Sequence, residues 1–193
     1  MLNTKYNHEE VEQNKYSYWI EKGYFKSGDL NKKPFCIVLP PPNVTGVLHL
    51  GHALDVSLQD AIIRYKRMEG YDCLWLPGMD HAAIATEAKV VDRLKKQGKE
   101  KHLVGREAFL DECWKWTEEH AQIIREQWAK LGISLDYTKE RFTLDSTIER
   151  AVKEVFVKFY EKGLIYRGEK LINWDPAAQT ALSNEEVKYE EVK

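Results

Sequence analysis

The sequence predicts an α/β fold, with parallel sheet strands and flanking helices. Phe35, Cys36, Ile37, Val38 and Leu39 form a short apolar run rich in β-branched residues, which reads as a buried strand. Leu50, Leu54, Leu58, Ala61, Ile62, Tyr65 and Met68 then recur at helical spacing, and Tyr71 to Leu76 is a second apolar run. Strand, helix and strand within this length make a βαβ unit, with parallel strands and a right-handed crossover. Ligands of such sheets sit beyond the carboxyl ends of the strands. The first strand delivers Pro40 to Asn43 there, and the second delivers Gly78, Met79, Asp80 and His81.

Between the first strand and its helix runs the stretch from Pro40 to His52. Pro40, Pro41 and Pro42 fix φ and lack N–H donors, so they make a stiff turn with outward carbonyls. A proline run is usually a linker, but this one abuts a strand and leads straight into a helix. His49 and His52 lie on one face of the first helical turn. A helix N-terminus has free N–H groups and partial positive charge, so it suits phosphate, and both imidazoles can donate to phosphate oxygens. Gly51 lacks a Cβ and lets a nucleotide approach the backbone. Such a histidine pair is also found as an ordinary surface or core pair, or as half a metal site.

The other elements follow in order. Asn7 to Glu10 resembles a capping box opening a helix through Tyr16, Trp19 and Ile20, ended by Gly23. Ser27 to Lys33 is a polar loop. The histidine helix closes with Arg64, Lys66 and Arg67, followed by Gly70. Ile84, Ala88, Val91 and Leu94 mark a helix stopped by Gly98, and Lys95 to Lys101 is a solvated charged loop. Arg106 to Leu131 is a long helix with Gly132 after it. Trp114, Trp116 and Trp128 suit base stacking in principle, but at helical spacing they read as core. Asp145 is expected to cap a helix carrying Ile148, Val152, Val155, Phe156 and Phe159, ended by Gly163. Leu164 to Trp174 reads as a strand or strand pair, and Ser183 to Lys193 is charged and without apolar periodicity.

Composition narrows the function classes. The chain has 193 residues, 43% hydrophobic and 31% charged, which is globular rather than disordered. A net charge of −2 predicts no general nucleic-acid affinity, so any RNA contact is local. Cys36, Cys73 and Cys113 are isolated and odd in number, which gives neither a disulfide framework nor a metal pair. No apolar signal core and no run of membrane-spanning length is present, so a cytoplasmic location is expected, with no membrane or DNA partner.

Pro-Pro-Pro-Asn-Val-Thr-Gly followed by His-Leu-Gly-His, at Pro40 to His52, resembles the signature of the class I aminoacyl-tRNA synthetases, in the valine-specific branch of that family. The isoleucine and leucine branches share the histidine core but differ in the stretch before it. The likeness runs from about Tyr6 to Val187 and includes Gln59 to Met68, Trp75 to Ala82 and Asn173 to Pro176. It implies the first half of a class I synthetase Rossmann-like fold. Residues 1–33 would be an N-terminal helix and loop, 34–176 the first half of the nucleotide-binding domain, and 177–193 a connection toward an editing domain absent here. No Lys-Met-Ser-Lys-Ser run is present, so the chain resembles an N-terminal piece.

The implied activity is ATP-dependent activation of valine to valyl-adenylate, then transfer to tRNA(Val), with Mg2+ accompanying the ATP. By resemblance His49 and His52 are catalytic and bind ATP together with Pro40, Pro42, Asn43 and Gly51. Pro41, Asn43 and Asp80 would contact the amino acid, Asp80 through its ammonium group. Thr45, Gly46 and His81 are candidates for lining the site, though Asp80 also suits a helix N-cap and His81 an ordinary buried histidine. Relatives usually carry Thr at Met79 and Gly at Ala83. Some carry a zinc-binding Cys-x-x-Cys pair where Asp175 and Ala178 stand, so no zinc is expected. The rival readings are a fragment that binds ATP or valine without chemistry, another nucleotidyl transferase with the same histidine turn, and a metal protein using His49, His52 and His81.

Overall fold

A computed structural model describes residues 4–177 and 179–191. By backbone contacts the chain divides into two compact units, Met1–Glu149 and Arg150–Lys193. This division is separate from the division by role expected from the sequence, at 33/34 and 176/177. No described helix is long and apolar enough to cross a membrane.

The first unit opens with helices α1 (His8–Glu12) and α2 (Lys15–Glu21). They were expected to be one helix, but Asn14 adopts φ +61° and breaks it. Asn7 accepts from the Glu9 amide at 3.2 Å and donates to the Glu10 carboxylate at 3.0 Å. Strand β1 (Pro34–Val38), helix α3 (Leu50–Met68) and strand β2 (Asp72–Leu76) form the expected unit, with β1 and β2 parallel and in register from Pro34↔Asp72 to Val38↔Leu76; β1, however, is not the buried strand expected, since its residues are half-buried or exposed. Gly70 at φ +88° ends α3, where its N–H and that of Tyr71 fold back onto Arg67 and Lys66 carbonyls. Strand β3 (Gly78–Met79) then pairs parallel with β4 (Arg141–Phe142). Between them lie α4 (Ala83–Lys96), the short α5 (Lys101–Val104) and α6 (Arg106–Leu131). Gly98 and Gly132 hold the positive φ that stops α4 and α6, as read from the sequence. Helix α7 (Ser146–Glu161) follows and carries the chain from the first unit into the second, with no buried residue. Asp145 stands directly before it, where a cap was expected: its carbonyl accepts from Glu149 N–H at 2.8 Å, and its carboxylate accepts from Phe142 N–H at 2.9 Å.

In the second unit, Leu164 to Trp174 is mostly irregular. Strand β5 (Asn173–Asp175) pairs antiparallel with β6 (Thr180–Leu182), which the sequence reading did not anticipate. Asp175 bonds the Ala177 N–H at 2.9 Å, while Ala178, its counterpart in the zinc comparison, lies outside the described residues.

The core joins β1, β2, α3 and α6 around Leu39, Val44, Val56, Ile63, Trp75 and Trp128. The apolar stripe that identified α3 is not its packed face. Val56 and Ile63 are buried, whereas Leu50, Leu54, Leu58, Ile62, Tyr65 and Met68 are exposed, Leu50 at 85%. A helix can turn only one side to a two-stranded sheet, and here the inner side has the smaller apolar count. The tryptophans also separate: Trp128 is fully buried and Trp116 half-buried, but Trp114 is exposed, contrary to its expected place in the core.

Beyond α6, Asp136 fastens the N-terminal segment. Its buried carboxylate accepts from the N–H and hydroxyl of Ser27 (3.0 and 2.9 Å) and of Thr138 (3.1 and 2.6 Å). Burial alone pushes the carboxyl up, but the bonds from Thr138 and Ser27 outweigh it and hold the group below its ordinary value. A lowered folded value gives stability that is complete above the unfolded value, about pH 4, and is lost as pH falls below it. Asp136→Asn should cost about 1–3 kcal/mol at pH 7 and flatten the decline of stability below pH 4. Acid unfolding of the two proteins side by side checks this, and equal slopes would remove Asp136 from the account.

Candidate functional site

The site is built at the carboxyl ends of β1 and β2. Where β1 runs out, Leu39 N–H still bonds the Leu76 carbonyl at 3.0 Å. The chain then continues through the prolines to a parallel bridge, Asn43↔Asp80. In it Asp80 N–H donates to the Pro42 carbonyl at 2.9 Å, and Val44 N–H donates to the Asp80 carbonyl at 3.0 Å. The expectation of outward carbonyls therefore fails at Pro42, which is buried and whose oxygen is used in the bridge. Proline can still accept, so the stiff turn can be sewn to its neighbour. Pro40, Pro41 and Asn43 remain exposed, and Thr45 and Gly46 form the half-buried turn that follows. A Cβ on Gly46 would meet nothing within 4 Å, so its space is not sterically required.

Helix α6 holds this turn at both ends. Trp116 Nε1 donates to the Val44 carbonyl at 2.8 Å. Gln127 accepts from Leu48 N–H at 2.8 Å and donates to the Leu48 carbonyl at 3.3 Å, acting like one residue of a neighbouring strand. Neither contact was legible in the sequence, because each spans more than seventy residues.

The two histidines close on each other at the start of α3. His49 is the N-cap, with Nδ1 accepting from Gly51 N–H at 3.1 Å, and His52 Nδ1 accepts from His49 N–H at 3.2 Å. The imidazoles form a reciprocal capping box. Each Nδ1 is an acceptor, so a neutral ring carries its proton on Nε2. Burial and the adjacent His49 lower the pKa of His52 from its ordinary value, against an upward pull from Asp55. The pair thus offers two Nε2–H donors beside a helix N-terminus. A Cβ at Gly51 would lie 3.0 Å from His49 Cε1, so the space attributed to a nearby nucleotide is filled by this ring.

On the other side of the bridge, Asp80 keeps a 37%-exposed carboxylate. It is not the N-cap of α4, a position held by Ala82. Its Oδ1 accepts from Ala82 N–H at 3.3 Å and from the Thr143 hydroxyl at 3.1 Å, and lies 3.3 Å from His81 Nδ1. His81 is half-buried, with Phe142 edge-on to its ring and both its N–H and Nδ1 on Thr143 Oγ1. Thr143 went unread in the sequence. The only local signal is the short polar-aromatic run after α6, which turns out to be β4. Next to these residues an apolar cleft of about 120 Å3 is lined by Val38, Pro41, Leu76, Gly78, Met79 and Phe142. Among the described residues no group of three or more His, Cys, Asp or Glu side chains is placed to hold a metal ion.

The chain resembles known proteins along nearly its whole length. Residues 14–193 match the family model of class I tRNA synthetases (I, L, M and V). The chain is 63% identical to the valine–tRNA ligase of Geobacillus stearothermophilus over 190 residues, 98% of this chain and 22% of that protein. It is 60% identical to the valine–tRNA ligase of Bacillus subtilis over 191 residues, again 98% and 22%. It therefore spans about a fifth of the length of these relatives. Among solved structures, the ternary complex of Agrobacterium radiobacter LeuRS with tRNA and LeuAMS matches 95% of this chain and 22% of that one, with 26% identity and a TM-score of 0.75.

Two variants probe this construction. Gln127→Ala should strip both partners from Leu48, cost about 1–3 kcal/mol and speed amide exchange at Leu48 selectively; unchanged exchange there would mean that α6 does not hold the turn. Ala82 and Ala83 start α4 at φ +48° and +21°, a region that penalises a Cβ. Ala83→Gly should therefore stabilise the fold by about 1 kcal/mol and raise the melting temperature by about 2–4 °C. A lowered melting temperature would contradict strain at this position.

Proposed function

The chain belongs to the class I tRNA synthetases of the isoleucine, leucine, methionine and valine group, and on that premise we propose that it is the N-terminal catalytic part of a valine–tRNA ligase. The observation that carries the reading is the Asn43↔Asp80 bridge, which ties the histidine turn and the acidic segment into one rim. ATP would lie against Pro40, Asn43 and the start of α3, with the buried Pro42 supporting that rim through its bond to Asp80. Valine would place its ammonium on Asp80 and its isopropyl group in the apolar cleft beside Pro41. Thr45, Gly46 and His81 would border the bound pair.

In this reading a carboxylate oxygen of valine attacks the α-phosphorus of ATP. A P–O bond forms, the bond to the β-phosphate bridge breaks, and pyrophosphate leaves with the electron pair. No protein nucleophile is needed. The chain's contribution is alignment and stabilisation of phosphate charge. His49 and His52 supply Nε2–H donors already oriented by their Nδ1 bonds to backbone. Magnesium would come with the triphosphate and neutralise part of its charge. The valyl group would then pass to tRNA(Val) in the whole ligase, in the cytoplasm. The 60–63% identity to valine–tRNA ligases disfavours a different nucleotidyl transferase.

Valine-dependent ATP–pyrophosphate exchange tests the reading, in this chain and in a longer ligase that contains it. His52→Ala should reduce exchange about 10²–10³-fold, and Asp80→Asn should weaken valine binding with ATP binding retained. Exchange indifferent to His52 would end the phosphate assignment. Loss of ATP with valine retained in Asp80→Asn would end the ammonium assignment. Binding of ATP and valine without exchange in the longer ligase would favour a module without chemistry.

A further inference from the structure

We propose that Thr143 is a positioning residue for amino-acid recognition, holding the Asp80 carboxylate in the one orientation that leaves an oxygen ready for a primary ammonium group. This rests on the reading of Asp80 given above. The Asp80 side chain is 37% exposed, so enclosure alone does not fix its rotamer. Here hydrogen bonds select it instead. Every contact of the Asp80 carboxylate goes to Oδ1: Ala82 N–H at 3.3 Å, the Thr143 hydroxyl at 3.1 Å and His81 Nδ1 at 3.3 Å. Oδ2 has no partner among the described residues. One oxygen is fixed to the protein and the other is left for a cation, which a carboxylate binds by charge-assisted hydrogen bonds.

Thr143 can do this because its own atoms are fully assigned. The hydroxyl has one proton and two lone pairs. The proton goes to Asp80, and the lone pairs accept His81 N–H at 2.9 Å and His81 Nδ1 at 2.5 Å, which places the imidazole proton on Nδ1. The backbone keeps the hydroxyl in register, since Met79 pairs with Phe142 and Thr143 N–H donates to the Met79 carbonyl at 3.2 Å. The strand that follows α6 is thereby the back wall of the ammonium site. A valine side chain at position 143 has nearly the same shape and no proton to give.

The test uses this chain with Thr143→Val, Thr143→Ser and Asp80→Asn. Three-bond couplings report the χ1 rotamer of Asp80 and need no ligand. Saturation-transfer NMR then compares valine with 3-methylbutanoate, which lacks only the amine. The expected result is a single Asp80 rotamer in the parent chain and in Thr143→Ser, and averaged couplings in Thr143→Val with the Val44 and Met79 amide shifts in place. Valine should bind about tenfold more weakly to Thr143→Val and Asp80→Asn, with 3-methylbutanoate unaffected and Thr143→Ser restored. A fixed rotamer in Thr143→Val overturns the proposal, as does equal weakening of the two ligands, which would mark collapse of the cleft. Valine weakened by Asp80→Asn but not by Thr143→Val overturns the role of Thr143 alone. Valine unaffected by Asp80→Asn overturns the ammonium reading itself, and this role with it.

Discussion

Two backbone hydrogen bonds govern the arrangement of everything else at the rim: Asp80 N–H to the Pro42 carbonyl and Val44 N–H to the Asp80 carbonyl. They extend the parallel ladder of β1 and β2 past the point where both strands have ended. Buried backbone groups must find partners, and a proline-rich turn has few donors of its own. The bridge supplies the acceptor at Pro42 and the donor at Val44 with counterparts on a single residue. That residue also carries the carboxylate. Local backbone satisfaction and placement of the acidic group are thus one event, so the histidine turn and Asp80 cannot drift independently.

Helix α6 extends the same logic from the opposite side. Its Trp116 and Gln127 hold the carbonyl of Val44 and both backbone groups of Leu48, the two ends of the loop before the histidines. Trp128, next to Gln127 in sequence, is wholly buried in the core that α6 shares with β1, β2 and α3. The loop is therefore held by groups whose own positions are set by packing. The histidines complete the construction by capping each other's turn through Nδ1. A ring with one nitrogen committed to backbone has its orientation set before any ligand arrives, which is what preorganised stabilisation of phosphate charge needs.

Much of the backbone was legible in the sequence because its signals are local. Helix α6 runs over the span read from its periodicity, and Gly70, Gly98 and Gly132 stop helices where positive φ is required. The βαβ unit is where the two apolar runs put it. Errors arose where a local signal was read as a tertiary one. The leucine stripe of α3 is real, yet the packed side is that of Val56 and Ile63. Three tryptophans were read as core, yet Trp114 is exposed. Asn14 broke a helix whose capping residues were correctly placed.

The sequence by itself determined the element order, the strand ends and the residues presented there, since these depend on neighbours a few positions away. It also carried the family resemblance, through ordered motifs along nearly the whole chain. Only the tertiary structure decided which nitrogen of each histidine is free, which oxygen of Asp80 is held and which distant side chains hold them. Thr143 meets Asp80 across sixty-three residues and Gln127 meets Leu48 across seventy-nine. No periodicity encodes such pairs, because they arise when separate elements pack and each buried polar group must then find a partner.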